Sequence, residues 1–296
     1  MVAGITSNDL KSLKAYLESS DCTIAEDATS IEYSYNVQPQ IYRENADGTV
    51  RQVNPDSSLA SLGISSTSSS NDMMSSMMNT SVFYQLPESA ELYNSQYEVK
   101  AGRWPENYNE CVAVLGADGT ITDYALYALG LRDNAELDKM IKQFAQNQNV
   151  DVPSDFKTYD GFIGIEFKLV NSADRYLRDD EHNAWVDKSD DKDFLKDLVA
   201  SGESLTVVGV VQPKEDASAA MLSSGIAYPA SLTQHVIASA ADSPLVKDQL
   251  ANPSINVMNG EPFGTEKASA FDMASLFSID TDQLKSAFQF DTSKLN

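Results

Sequence analysis

The most apolar run in the chain is Leu205-Thr206-Val207-Val208-Gly209-Val210-Val211, seven residues long. A helix that crosses a bilayer needs roughly 20 apolar residues in succession, so no segment of this sequence is expected to span one. A short run rich in β-branched residues and closed by Pro213 reads instead as a buried strand, because proline has no N–H with which to continue a ladder. The fold has to be assembled from many such short pieces. Asn109 to Leu115 is a second buried strand, ended by Gly116 and Asp118-Gly119. Gly225 to Tyr228, before Pro229, reads as another short strand, and Ile255 to Met258 as a last one. Tyr97 to Gly102 is a strand that runs into a glycine turn before Pro105, and ordered structure is expected to resume at Val82-Phe83-Tyr84.

Alternation adds two more strands. Ile31, Tyr33, Tyr35 and Val37 alternate with Glu32, Ser34 and Asn36, which predicts a half-buried strand over 31–42. Asn45-Ala46-Asp47-Gly48 then reads as a turn, with Arg51 to Val53 as the return strand of a hairpin. Phe162 to Val170 alternates in the same way. Helices are expected over 7–18, capped by Ser7 or Asn8, over much of 121–149 with a break at Gly130, from Phe194 to Ala200 ending at a left-handed Gly202, and from Ser231, as its own cap, to Ala241. Residues 179–193 read as an acidic, polar connection. The total is an α+β protein of mixed short strands and helices.

Residues 57–81 differ in character. Serines dominate the first half, and Met73-Met74-Ser75-Ser76-Met77-Met78 follows. The composition is that of a flexible linker, with methionines suited to irregular apolar surfaces. From Ala268 onward the pattern weakens. The start, Met1-Val2-Ala3-Gly4, lacks the basic n-region and apolar h-region of a signal peptide, so a protein acting outside the cell would have its export signal outside this chain.

Charge excludes one class of partner. Lys and Arg total 21 against 44 Asp and Glu, a net of −23. Such a surface repels phosphate backbones, so no nucleic-acid partner is expected, nor docking on anionic lipid through a basic patch.

The candidates for chemistry are few. The two histidines are His182, in Asp179-Asp180-Glu181-His182, and His235, on the helix after Pro229. A Ser-His-Asp or Cys-His site needs one of them as a base, but no G-x-S-x-G elbow and no H-E-x-x-H occurs. Both read as surface or structural histidines. Asp187-Lys188-Ser189-Asp190-Asp191-Lys192-Asp193 places oxygen ligands at alternate positions, as calcium would require. An EF-hand loop begun at Asp187 needs Gly at its sixth position and Glu at its twelfth, where Lys192 and Leu198 stand. A solvated acidic loop is the reading. Tyr93, Tyr97, Trp104, Tyr108 and Trp185 are aromatic candidates for stacking on a sugar or peptide; the alternative is that they cap strand ends and fill the core. No catalytic residue, cofactor or metal is expected.

Several of these segments resemble one family when taken in order. Ala101-Gly102-Arg103-Trp104-Pro105, followed by Cys111-Val112-Ala113-Val114-Leu115, resembles the "G-R-x-P, then E-V-V-L-S" passage of extracytoplasmic domains in macrolide-exporter-type (MacB-like) and FtsX-like permeases of ABC transporters. Leu205 to Val211 resembles their "V-V-G-V" strand, and Gly225-Ile226-Ala227-Tyr228-Pro229 the "i-y-v-P" strand before a helix. Residues 57–81 and 121–200 depart from the short exporter version and look more like a longer Gram-positive branch. The resemblance implies a two-lobed design: a membrane-proximal βαβ-like lobe from 1–116 plus 231–296, carrying the Ser/Met-rich insert, and an inserted β-rich lobe over 117–230. It also implies a location on the extracytoplasmic face of the cell membrane. The implied partners are transmembrane helices of the same permease, a cytoplasmic ATP-binding subunit or domain, and an extracellular partner or cargo. The competing reading is a bacterial cell-surface binding or adhesion module for sugar or peptide; a hydrolase is the third.

Cys22 and Cys111 fit no metal spacing, and nothing in the pattern brings a helix-to-strand loop against a buried strand. Thiol titration of the denatured chain should return both sulfhydryls free; a chain with neither would be disulfide-bonded and would overturn this reading.

Overall fold

The structure is a computed structural model and describes residues 9–45, 48–55, 82–121, 123–128, 132, 159–217 and 220–263. The Ser/Met-rich stretch, most of the expected helix over 121–149 and the segment after Ala268 lie outside the described residues.

Helix α1 spans Leu10–Leu17. Its cap is Asp9, one residue later than the sequence suggested, and the Asp9 carboxylate accepts from Ser12 N at 3.0 Å. A carboxylate there also complements the positive end of the helix dipole. A short helix α2 follows at Ile24–Asp27. The strand expected over 31–42 is corrected to β1, Gln40–Glu44. Residues 31–38 do keep the alternation, with Ile31, Tyr33, Tyr35 and Val37 half-buried and the residues between them exposed. Period two requires only an extended chain with one side on the core, and among the described residues no strand pairs with this stretch. β1 pairs with β2, Val50–Asn54, as an antiparallel hairpin. Asn45 N bonds Thr49 O at 2.8 Å and Gly48 N bonds Asn45 O at 2.9 Å, closing the expected turn.

The remaining strands are β3 (Phe83–Gln85), β4 (Tyr97–Gly102), β5 (Glu110–Val114), β6 (Glu166–Val170), β7 (Tyr176–Asp179), β8 (Ala184–Asp187), β9 (Glu203–Pro213), β10 (Gly225–Tyr228), β11 (Ile255–Asn256) and β12 (Glu261–Pro262). The helices between them are α3 (Asp123–Ala128), α4 (Lys192–Ser201), α5 (Ala230–Asp242) and α6 (Pro244–Ala251). β6 begins later than Phe162, because a 3-10 turn over Tyr159–Phe162 leads into Gly164 at φ +81°. The polar connection expected over 179–193 is corrected as well: much of it is the β7–β8 hairpin. α5 starts without a Ser231 cap; Pro229 occupies the cap position with no side-chain bond. Gly202 ends α4 in an extended conformation, not a left-handed one. Its lack of a side chain serves packing instead, since a Cβ there would lie 2.8 Å from Leu169 O.

An eight-stranded sheet organises the molecule in the order β2-β1-β6-β9-β5-β10-β3, with β4 also on β9. β9 is its axis. Along one edge it runs parallel to β5, from Thr206 opposite Glu110 to Val211 opposite Val114. Along the other edge it meets two strands end to end. Its first residues pair antiparallel with β6 and its last with β4, where Gly102 faces Gly209 and Tyr97 faces Pro213. On the β5 side, Val207 faces Cys111 and Gly209 faces Val112, so Val208 is an extra residue. This bulge switches the parity of the strand: Leu205 and Val207 point into the same core as Val210.

That core lies on one face of the sheet, where Cys111, Ala113, Ile226 and Phe167 meet Ala125 and Leu126 of α3 and Leu232 and Val236 of α5. The alternate residues Val112, Val114, Val211 and Ala227 form a second apolar layer with Leu86, Tyr93, Tyr97 and Leu222. α4 packs Val199 against Tyr42 and Val170. Fully burying each such side chain contributes roughly 1.5–3 kcal/mol.

The chain is thus α+β. The boundary expected at 116/117 does not divide this sheet: β6, β9 and β10 fall within 117–230, yet β6 pairs with β1 and β9 pairs with β4 and β5. β7 and β8 stand apart in a two-stranded sheet of their own.

Two glycines make the β4–β9 junction possible. Gly102 has φ +65°, and a Cβ on it would fall 2.1 Å from Val208 O. A Cβ on Gly209 would fall 1.9 Å from Arg103 O, while Arg103 N bonds Val208 O at 3.1 Å. Gly209→Ala should therefore destabilise the chain by about 3 kcal/mol or more, because backbone must move to make room. Gly260→Ala, in open space at φ +73°, should cost only the conformational penalty of about 1–2 kcal/mol. Urea denaturation of the two variants measures the difference; equal midpoints would refute the steric account.

Candidate functional site

The loop from Arg103 to Asn109 carries the chain from β4 to β5, and its polar side chains are gathered by two carboxylates. Arg103 grips Glu110 with both guanidinium nitrogens, at 2.7 and 2.6 Å. Glu110 also accepts from Glu106 N at 2.8 Å, Asn107 N at 3.2 Å and Asn107 Nδ2 at 3.0 Å. The Arg103 guanidinium beside it, aided by these N–H donors, holds the Glu110 carboxyl well below the usual range. Glu110 is the first residue of β5, so the clamp sets the spacing between the two strands that flank β9.

The second carboxylate is Glu203, at the start of β9. Tyr108 Oη donates to Glu203 Oε2 at 2.7 Å, and His235 Nε2 lies 2.9 Å from Glu203 Oε1. The imidazole stacks on the Tyr108 ring, centroid to centroid 3.9 Å and 21° from parallel. Partial burial works to raise the Glu203 carboxyl, but the bonds from Tyr108 and His235 outweigh it and the net displacement is downward. One loop, one strand and helix α5 meet in this cluster.

A cleft of about 150 Å³ opens beside it, lined by Asn171, Asp174, Ser201, Glu203, His235 and Ser239 among others. Asn171 Nδ2 donates to Ser239 Oγ at 3.2 Å, and burial pushes the Asp174 carboxyl up. The cleft has acceptors and hydroxyls at its wall. Among the described residues, no serine or cysteine hydrogen-bonds to either histidine. Cys111 is fully buried, and burial pushes its thiol up, away from the reactive thiolate. What the arrangement does is fix three elements in register.

The other sequence candidates are dispersed. His182 sits in the β7–β8 turn, 72% exposed, with Nδ1 2.8 Å from Asp179 Oδ2. The acidic run is spent on local structure: Asp187 accepts from Ser189 N, and Asp191 caps α4 by accepting from Phe194 N. Among the described residues no group of His, Cys, Asp and Glu is arranged to hold a metal ion. Both cysteines are free, Cys22 partly exposed and Cys111 buried. Tyr93 and Tyr97 are buried in the second apolar layer with Trp104 against them, at ring distances of 4.8 and 6.4 Å. Trp185 Nε1 donates to Asp248 Oδ2 at 2.8 Å, and Arg178 reaches the same oxygen at 3.0 Å, pinning the β7–β8 hairpin to α6. Four of the five aromatic candidates are thereby committed to packing or to a hydrogen bond, and Tyr108 to His235.

Sequence reasoning passed over Glu203 and Glu110. The usable signal was Arg103 and Glu110 on either side of Pro105, opposite charges across a tight turn. Nothing local marks Glu203, whose partners lie 95 and 32 positions away.

Comparison with protein-family models, with curated proteins and with solved structures gave no match.

Glu110 and Glu203 titrate below the ordinary range in the folded chain. The stability they contribute is therefore present above the unfolded glutamate value of about 4.3 and is lost as pH falls from there through the folded values. Glu110→Gln should cost about 2 kcal/mol at pH 7, the scale of a hydrogen bond to a charged group, and should flatten the fall in urea midpoint between pH 5 and pH 3. A variant whose midpoint follows the parent's at every pH would show that the clamp carries no stability.

Proposed function

We propose that the chain is the extracytoplasmic domain of an ABC-transporter permease and that it acts as a mechanical relay, with no catalysis of its own. The observation that carries this reading is the convergence of the segments on which the family resemblance rests. Ala101–Pro105, Cys111–Leu115, Leu205–Val211 and Gly225–Pro229 are spread over more than a hundred positions, yet they supply the adjacent strands β4, β5, β9 and β10. The glycines of two of them face each other across the β4–β9 junction. Motifs that met by chance in composition would have no reason to share one junction.

A relay needs stiffness, and this sheet is suited to it. Packed interiors have low compressibility, β9 is hydrogen-bonded on both edges, and the Arg103–Glu110 and Tyr108–Glu203–His235 contacts fasten loop and helix to it. Displacement imposed on β4 is passed to β9 and from there to β5 and β6. ATP would be hydrolysed by a separate cytoplasmic subunit. The reading as a sugar- or peptide-binding surface module has less support, because the aromatic side chains it would use are engaged within the fold. No helix among the described residues is long and apolar enough to cross a membrane; in this proposal the spanning helices flank the domain.

The test is made in the native host. With Cys22→Ser, a cysteine placed at exposed Glu91 should react with a membrane-impermeant maleimide in intact cells. The protein should sediment with membranes and bring an ATP-binding subunit with it on solubilisation. Labelling only after lysis, or a protein free of membranes, would refute the proposal.

A further inference from the structure

Two arginines of this chain are matched by acids where they stand. Arg103 lies against Glu110 and Glu106, and Arg178 against Asp248 and Asp180. Arg43, in β1, is placed differently. Burial alone acts on its guanidinium and pushes its value down, with no carboxylate near enough to offset that. An arginine in a protein keeps its proton, so the charge remains, half-buried and without a counter-charge.

The residue across the hairpin is a second cation. Arg43 of β1 pairs with Arg51 of β2, which sets both side chains on one face with their Cβ atoms roughly 5 Å apart. Like charges directly opposite destabilise a strand pair. The chain has 44 Asp and Glu against 21 Lys and Arg, so this pairing does not follow from a shortage of acids.

The surroundings sharpen the contrast. Ile41, two positions before Arg43, and Val53, two after Arg51, are buried in the main core with Phe167 and Leu169 of β6. The pair therefore stands at the rim of an apolar layer. None of the Arg43 nitrogens is an unbonded atom sealed from solvent, so the head of the side chain is open to whatever approaches.

We propose that Arg43 and Arg51 form a binding site for one small oxyanion, a carboxylate or phosphate group held between the two guanidinium forks. Each fork can offer such a group two parallel N–H bonds. The apolar layer beside the forks strengthens those bonds, and the anion cancels the repulsion between the two arginines. A ligand with many charges fits less well, because the net −23 of the chain repels it beyond the immediate site. The inference does not use the permease reading and stands apart from it.

The experiment follows the Nε–Hε signals of the whole chain labelled with heavy-isotope arginine. Chloride is exchanged at constant ionic strength for inorganic phosphate or, in a second arm, for acetate. The signals of Arg43 and Arg51 should move together and saturate, while that of Arg178, engaged by Asp248 and Asn183, should move less. Saturation with phosphate assigns the site to phosphate-bearing ligands, and saturation with acetate to carboxylates. Arg43→Gln should weaken the response at Arg51 about tenfold or more, the scale of a lost bond to a charged group. Arg43→Lys should keep part of it, since the charge stays and the fork is lost. In chloride alone the urea midpoint of Arg43→Gln should not fall below the parent's, because the change relieves a like-charge pair. The anion that saturates the signals should raise the parent's midpoint and leave that of Arg43→Gln unmoved.

Shifts that stay linear and are equal at Arg43, Arg51 and Arg178 overturn the inference. So does a midpoint lowered by Arg43→Gln in chloride, since the arginine would then be holding the fold through contacts within the chain. Loss of the site leaves the permease proposal untouched, and a chain found away from membranes leaves the site standing.

Discussion

The structure depends on the crossing of Gly102-Arg103 over Val208-Gly209. At this point the chain that leaves β4 passes so close to β9 that a single methyl group on either glycine would sit within about 2 Å of a carbonyl oxygen. Close approach is what allows β4 to take the second half of one β9 edge while β6 takes the first. The bulge at Val208 then turns Leu205, Val207 and Val210 into one core. With a side chain at either position, the end-to-end arrangement on that edge would be forced apart and the loop to β5 would lose its path.

The polar contacts around the loop follow from that crossing. Once Arg103 is placed by its N–H on Val208 O, its guanidinium reaches Glu110 at the start of β5, and the six-residue passage between them is fixed by Glu110's remaining acceptor sites. Tyr108 is thereby delivered to Glu203 and His235. The result is a junction in which apolar packing gives stability and a few charge-assisted bonds give register. Its chemistry is that of a fastening, and stiffness is the property it supplies to the proposed relay.

The short strands were legible because each is bounded by its own punctuation. Pro213, Pro229, Gly116 and Gly102 stop the runs they follow, and β4, β5, β9 and β10 fall where those residues place them. The hairpin of β1 and β2 was legible from Gly48. The strand predicted over 31–42 was not, because alternation reports which side of an extended chain is covered and is silent on whether a neighbour bonds its edge. The β7–β8 hairpin was hidden by its tip, Asp179 to His182, whose charges read as solvated loop while Leu177 and Trp185 carry the strands. That one sheet runs across position 116 was not legible for a different reason. Strand pairing between β6 and β1, or between β9 and β5, joins residues 96 to 130 positions apart, and no local pattern encodes it. The site was the least legible part, since Glu203 acquires its role only from partners brought in by the sheet.

The stiffness proposed for the relay requires strands on both sides of position 116 to open as one unit around β9, and native-state hydrogen exchange reads this amide by amide. Amides in β4, β5, β6 and β9, including Arg103 N on Val208 O, should share a single opening free energy equal to that of global unfolding and should lose protection together in rising denaturant. Protection that is lost in β6 and the first half of β9 at a lower denaturant concentration than in β5 would show two separately opening bodies and would contradict the claim.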